Sequence, residues 1–180
     1  MRGTGKLIWS VALAVLFCAS LVAAQEYVGS AACGNCHPGK YADWQQSGHH
    51  HALTRITGAA PQFPFQYHPG SPNVPAPPSL AGTPLSWNQI SYVAGGYHRK
   101  ANFADAQGYL ITGAAGDQTQ WNVWGENWVP YHPGQSVDFD CAQCHATGYS
   151  PAGHQGGLPG AAGIWAEDGV GCEGCHGPDS

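Results

Sequence analysis

Charge is scarce in this chain: Asp, Glu, Lys and Arg make up only 9% of its 180 residues, and six are basic. Arg2 and Lys6 stand at the extreme N-terminus, leaving Lys40, Arg55, Arg99 and Lys100 against eleven acidic residues, all beyond residue 24. A phosphate polymer needs a basic face, so nucleic acid is excluded as a partner. Long apolar runs are missing too, apart from residues 7–17. That run is shorter than the ~20 residues of a spanning helix, so no transmembrane segment is expected. Methionine is the scarcest residue of all, with Met1 its only occurrence.

The short apolar run follows Arg2 and Lys6 and ends in Val22-Ala23-Ala24, the layout of a secretory signal cleaved before Gln25. Residues 1–24 are therefore expected to be a signal peptide and 25–180 a single exported domain, periplasmic or extracellular. Cys18 as a lipid-anchor cysteine is the alternative; the bulky Phe17 before it argues against that. With residues 1–24 removed, six cysteines remain.

Those six fall into three repeats of one pattern: Cys33-Gly34-Asn35-Cys36-His37, Cys141-Ala142-Gln143-Cys144-His145 and Cys172-Glu173-Gly174-Cys175-His176. Two thiols three positions apart can bond the two vinyl groups of one haem, and the adjoining histidine then becomes the proximal iron ligand. A disulfide framework would close only trivially small loops within each pair. A structural zinc site could take four thiolates from the second and third motifs, but it would orphan the first. A thioredoxin-like pair would need a βαβ context that no motif has. Three covalent haems c explain both the pairs and the histidines, and they imply electron transfer.

Distal ligands follow by elimination. Met1 leaves with the signal peptide, so methionine cannot ligate any haem, and low potentials are expected. Beyond the proximal His37, His145 and His176, the remaining histidines are His49, His50, His51, His68, His98, His132 and His154. Each is a possible distal ligand, with lysine, tyrosine, water or an empty position as minor options. The run His49-His50-His51, on a helix, would point in three directions and aim at least one ring at a haem; a surface metal-binding tract is its alternative.

Glycine and proline number 26 and 14, which leaves little material for long elements. Flat porphyrins would supply the missing apolar interior. Pro38 should open a helix running through residues 40–56. The proline-rich stretch 58–85 reads as an extended loop over a haem, or else as a linker. Ile90, Tyr92 and Val93, then residues 97–104 and 109–112, read as a small antiparallel β-meander. Trp121, Trp124, Trp128 and Tyr131 suit core or haem-wall packing. The second and third motifs are expected to set two haems close together. The fold class expected is mainly short α-helices and irregular loops around haems, with the β-meander as a minor part.

At Tyr27-Val28-Gly29-Ser30, the first motif, Tyr41, Trp44, Ser47, His49 and Ala52, the chain resembles the cytochrome c-554 type family of multihaem cytochromes. The likeness continues in Tyr92-Val93-Ala94-Gly95-Gly96, in Asp140-Cys141 to Tyr149, and in Trp165-Ala166-Glu167 through Pro178. More distantly the family is related to hydroxylamine oxidoreductase and pentahaem nitrite reductase. The resemblance implies closely packed haems in stacked pairs, electron carriage between redox partners, and His49 as a distal ligand. Implied partners are other multihaem cytochromes or a quinol-oxidising complex. Relatives typically continue where this chain stops, at Ser180, so truncation with further haems beyond it is one expectation. A multihaem oxidoreductase acting on nitrite or hydroxylamine is the rival reading, and it needs an open haem. The lysine-ended motif of pentahaem nitrite reductases is absent. A haem-bearing subunit of an extracellular assembly is the third.

Overall fold

Two short helices, α1 (Ser30–Gly34) and α2 (Pro38–Gln45), open the structure, a computed structural model that describes residues 26–178. The expected signal peptide at 1–24 lies outside the described residues. Pro38 occupies the first turn of α2, where a missing N–H costs nothing. The helix stops at Gln45 instead of running to residue 56. The Ser47 hydroxyl donates back to the Trp44 carbonyl, and the His49 carbonyl accepts the Val170 N–H, which draws the chain out of helical register. His50–Ala52 is then a single 3₁₀ turn, so the three histidines lie on a turn and not along a helix.

Strands follow: β1 (Leu53–Arg55), β2 (Ser79–Leu80), β3 (Thr83–Pro84), β4 (Ile90–Gly95), β5 (Lys100–Asp105), β6 (Gln120–Asn122) and β7 (Asn127–Val129). Five of them form one antiparallel sheet in the order β1-β4-β5-β6-β7. This corrects the expected fold class: strands and loops dominate, and the helices are short, the longest, α2, having eight residues. Of the expected meander, β4 and β5 pair along their length, but residues 109–112 contribute isolated bridges, Leu110 to Ala104 and Tyr109 to Asp138, and no strand.

Beyond the sheet lie α3 (Ala142–His145), β8 (Ala146–Thr147), β9 (Ser150–His154), β10 (Ala162–Ile164), β11 (Glu167–Asp168) and α4 (Glu173–His176). Strand β8 pairs with β11 and β9 with β10.

The sheet dominates because both its faces are covered. On one, Leu53, Tyr92, Ala94 and Ala104 pack with Leu110, Phe139, Ala142, Ala161 and Trp165. On the other, Val93, Ala101, Phe103 and Trp121 pack with Ile56, Val74 and Ile111. A strand buried on both sides loses the polar alternation of a surface strand, which is why β4 reads as a nearly unbroken apolar run. The proline-rich stretch lies over this second face through Val74, Phe63, Tyr67, Leu80 and Leu85, so it covers the sheet.

Candidate functional site

All three Cys-x-x-Cys-His segments fold into the same helical turn. The amide of each histidine donates to the carbonyl of the first cysteine four residues back: His37 to Cys33 at 2.9 Å, His145 to Cys141 at 3.0 Å, His176 to Cys172 at 3.1 Å. The second cysteine of each motif donates to the same carbonyl at 3.2–3.3 Å. The turn brings the two thiols and the imidazole onto neighbouring positions, with the first cysteine half-buried and the second exposed each time. All six thiols are free.

Two staples fix the motifs relative to one another. Glu173, inside the third motif and 2% exposed, accepts the amides of Val28 and Gly29, just before α1. Glu167 accepts the Ser30 amide and hydroxyl, and the Ser30 oxygen accepts the Cys172 amide at 2.9 Å. Each buried carboxylate thus has backbone N–H partners, the condition under which a charge tolerates burial. The result sets Cys33 and Cys172 in contact. Burial raises the Cys33 thiol above its ordinary pKa, and the neighbouring Cys172 thiol adds to the effect. The third motif is also tied to the second, since the Thr147 hydroxyl donates to the Gly169 carbonyl and accepts the Gly171 amide. The pairing expected between motifs two and three is therefore joined by one between motifs one and three.

The second motif opens onto a cavity of about 480 Å³, lined by Cys141, Gln143, Cys144 and His145 together with Ala94, Gly95, Arg99, Lys100 and Asn102. Tyr131 and Asp140 complete the wall. The His145 Nδ1 lies 2.8 Å from the Ala52 carbonyl oxygen, so Nδ1 carries the proton and Nε2 keeps its lone pair. Burial and then the Asp140 carboxylate push the Cys141 thiol up to about 11. Neither shifted thiol favours the thiolate that zinc requires. Among the described residues no group of three or more His, Cys, Asp or Glu is placed to hold a metal ion. A second cavity, about 550 Å³ and lined by Leu80, Tyr109, Ile111 and Val137 among others, contains no motif residue.

The remaining histidines separate by their partners. The His49 side chain is exposed, and its backbone carbonyl holds the Val170 amide. His50 is half-buried, with Nδ1 enclosed and unpaired, and burial lowers its pKa. The His51 Nε2 meets the Gln45 carbonyl at 3.2 Å, and its ring stacks on Tyr97. His68 is occupied on both ring nitrogens, Nε2 against the Val123 and Trp124 carbonyls and Nδ1 3.8 Å from Glu126. His98 stands edge-on to Tyr67, and His132 beside Tyr131 with a φ of 49°. His154 ends β9 at the surface. Of the aromatic run, Trp121 and Trp128 pack into the sheet's second face, Tyr131 lines the cavity and Trp124 is 64% exposed. Sequence reasoning missed Ser30, Glu167, Arg99 and Lys100 as parts of the site; only the closeness of Glu167 and Glu173 to the third motif hinted at the first two.

Three copies of a turn that presents two thiols and an imidazole, tied together through Glu167, Glu173 and Thr147, define a multihaem c-type cytochrome. The family model described as "Cytochrome c554 and c-prime" matches residues 32–64 and 127–177, segments that contain all six motif cysteines. No match was found among curated proteins. Two solved structures share the fold. An undecahaem cytochrome from the S-layer of Carboxydothermus ferrireducens is 23% identical with a TM-score of 0.53, covering 88% of this chain and 21% of that one. The outer cell wall cytochrome OcwA is 23% identical with a TM-score of 0.50, covering 84% of this chain and 32% of that one. The chain thus spans a fifth to a third of the length of these larger cytochromes.

Proposed function

We propose that this chain carries electrons through three haems c, attached at Cys33 and Cys36, Cys141 and Cys144, and Cys172 and Cys175, with His37, His145 and His176 as proximal ligands. The repeated turn geometry supports the count, and the His145–Ala52 hydrogen bond carries the ligand assignment. A ligating histidine ordinarily donates its other N–H to a carbonyl, which fixes the ring and makes it a better electron donor. An iron so ligated is held toward its oxidised state, in keeping with the low potentials expected without methionine. His49, whose ring is exposed, is the first choice of distal ligand; His50, His51, His98, His132 and His154 are the others. His68 we assign to the loop it braces.

Haem c when bound supplies reversible one-electron chemistry; the chain positions, encloses and tunes it. The acidic balance suits a basic redox partner drawn in by opposite charge, such as another multihaem cytochrome or a quinol-oxidising complex. Among the described residues no helix is long and apolar enough to cross a membrane. A signal peptide at 1–24 and the surface-layer and cell-wall settings named for the similar structures support export, to the periplasm or the cell exterior.

One observation favours a second reading. The cavity at the second motif has His145 as its single imidazole, so a haem there would meet an open distal face, the requirement of an oxidoreductase acting on a small nitrogen compound. His98 and His132 adjoin the lining residues Arg99 and Tyr131 in the chain and would close that face if either turned inward. EPR of the oxidised protein decides. Low-spin signals alone support the carrier, and a high-spin iron that binds nitrite or nitric oxide supports the enzyme.

A further inference from the structure

Only four basic side chains lie beyond residue 24, and two of them, adjacent in sequence, line the same cavity. Arg55 is committed elsewhere, paired with Asp168 at 3.3 Å and lying over the Tyr92 ring. Lys40 is exposed on α2. Arg99 and Lys100 line the cavity of the second motif, and the Arg99 guanidinium lies 5.9 Å from the centre of the Trp124 ring. Their backbone is closely fixed: the Arg99 carbonyl accepts the Val123 amide at 2.7 Å, and the Lys100 carbonyl accepts the Gly96 amide at 2.8 Å. A Cβ on Gly95 would stand 2.3 Å from that Lys100 oxygen, so the hairpin closes this tightly only with glycine.

A porphyrin bound through thioethers has its vinyl-derived edge at the cysteines and its two propionates on the opposite edge. The cavity lining holds a partner for each edge, two thiols and two cations. We propose that Arg99 and Lys100 bind the two propionates of the haem attached at Cys141 and Cys144, setting its orientation and raising its potential. The inference rests on the haem reading of the second motif. Asp140, Tyr131 and His145 are the other titratable groups lining the cavity besides the cysteines. Asp140 is next to Cys141 in the chain and is the one carboxylate in the lining. A cation close to the haem stabilises the reduced form, which carries one more negative charge. Both side chains are exposed, so the effect falls as salt rises.

The test uses the haem-loaded protein with Arg99→Gln and Lys100→Gln together, and separately the charge-conserving pair Arg99→Lys and Lys100→Arg. Mass spectrometry first counts haems in the unaltered protein; absence of haem at the second motif would fail the underlying reading, not this one. With that haem present, the glutamine pair should lower one midpoint in a redox titration, leave the others in place, and shift the propionate bending bands in resonance Raman spectra. The conserving pair should retain both signatures, including when the glutamine pair loads haem poorly. Unchanged potentials and bands in the glutamine pair, an equal shift of every midpoint, or loss of the signatures in the conserving pair would overturn the proposal.

Discussion

The Nδ1 of His145 and the carbonyl oxygen of Ala52 lie 2.8 Å apart across 93 residues of sequence. This bond joins the second motif to the histidine turn that follows the first, and that turn is itself pinned by the Val170 amide on the His49 carbonyl. Gly169 makes the approach possible: with a φ of 84°, it comes so near that a Cβ would stand 2.4 Å from the His50 oxygen. Gly169→Ala should push the turn away from His145 and cost about 1–3 kcal/mol in backbone strain. Denaturant unfolding of the loaded protein should show the loss, and spectroelectrochemistry should show one midpoint rising as the imidazole loses its acceptor.

Ser30 is fully buried, and its hydroxyl is the hinge of the joint between the first and third motifs. Ser30→Ala leaves the Cys172 amide without its acceptor and removes one donor from Glu167. The expected cost is about 1–3 kcal/mol, read as a lower unfolding midpoint. Magnetic coupling between the first and third haems, read by EPR, should weaken with it, whereas a purely local packing role would leave the coupling intact.

Tyr92 has its hydroxyl buried and unpaired, and burial, with the Asp168 carboxylate in support, pushes its pKa up to about 12. Unfolded, the phenol ionises near pH 10. Between pH 10 and 12 the unfolded chain has lost this proton while the folded chain keeps it, so stability falls as pH rises, by about 2 kcal/mol over that window. Tyr92→Phe should remove this slope from the unfolding profile and raise neutral-pH stability by about 1 kcal/mol, because no bond is lost. An unchanged alkaline slope would show that Tyr92 is not its source.

His49 and His68 make opposed predictions. His49→Ala should convert one haem from low-spin to high-spin, visible in the oxidised EPR and optical spectra. His68→Ala should leave every spin state unchanged but destabilise the loop at residues 123–126 by about 1 kcal/mol, since both of its ring nitrogens serve the protein. Retention of six-coordinate signals in His49→Ala would move the distal assignment to His50, His51, His98, His132 or His154.

The motifs were legible from sequence because covalent attachment leaves a local signature: two cysteines and a histidine must sit on one helical turn. The sheet was hidden for a related reason. Only the β4–β5 hairpin was expected; the other strands of the sheet, β1, β6 and β7, are three residues each, too short for a periodic signal. Counting glycine and proline undervalued the protein's own interior, since the proline-rich stretch supplies Val74, Phe63 and Leu80 to the sheet's second face. The helix expected to continue past Gln45 failed because a contact with Val170, 126 residues from Trp44, outweighs local propensity. Ser30, Glu167, Arg99 and Lys100 act through partners distant in sequence, and no single window contains both halves of such a contact.

Intact mass of the mature exported protein, taken with its pyridine haemochrome spectrum, tests the central claim most directly. The account predicts a mass exceeding the polypeptide by three haems and a spectrum of porphyrin joined by two thioethers. A polypeptide of bare mass, with six reactive thiols and no haemochrome band, would contradict it.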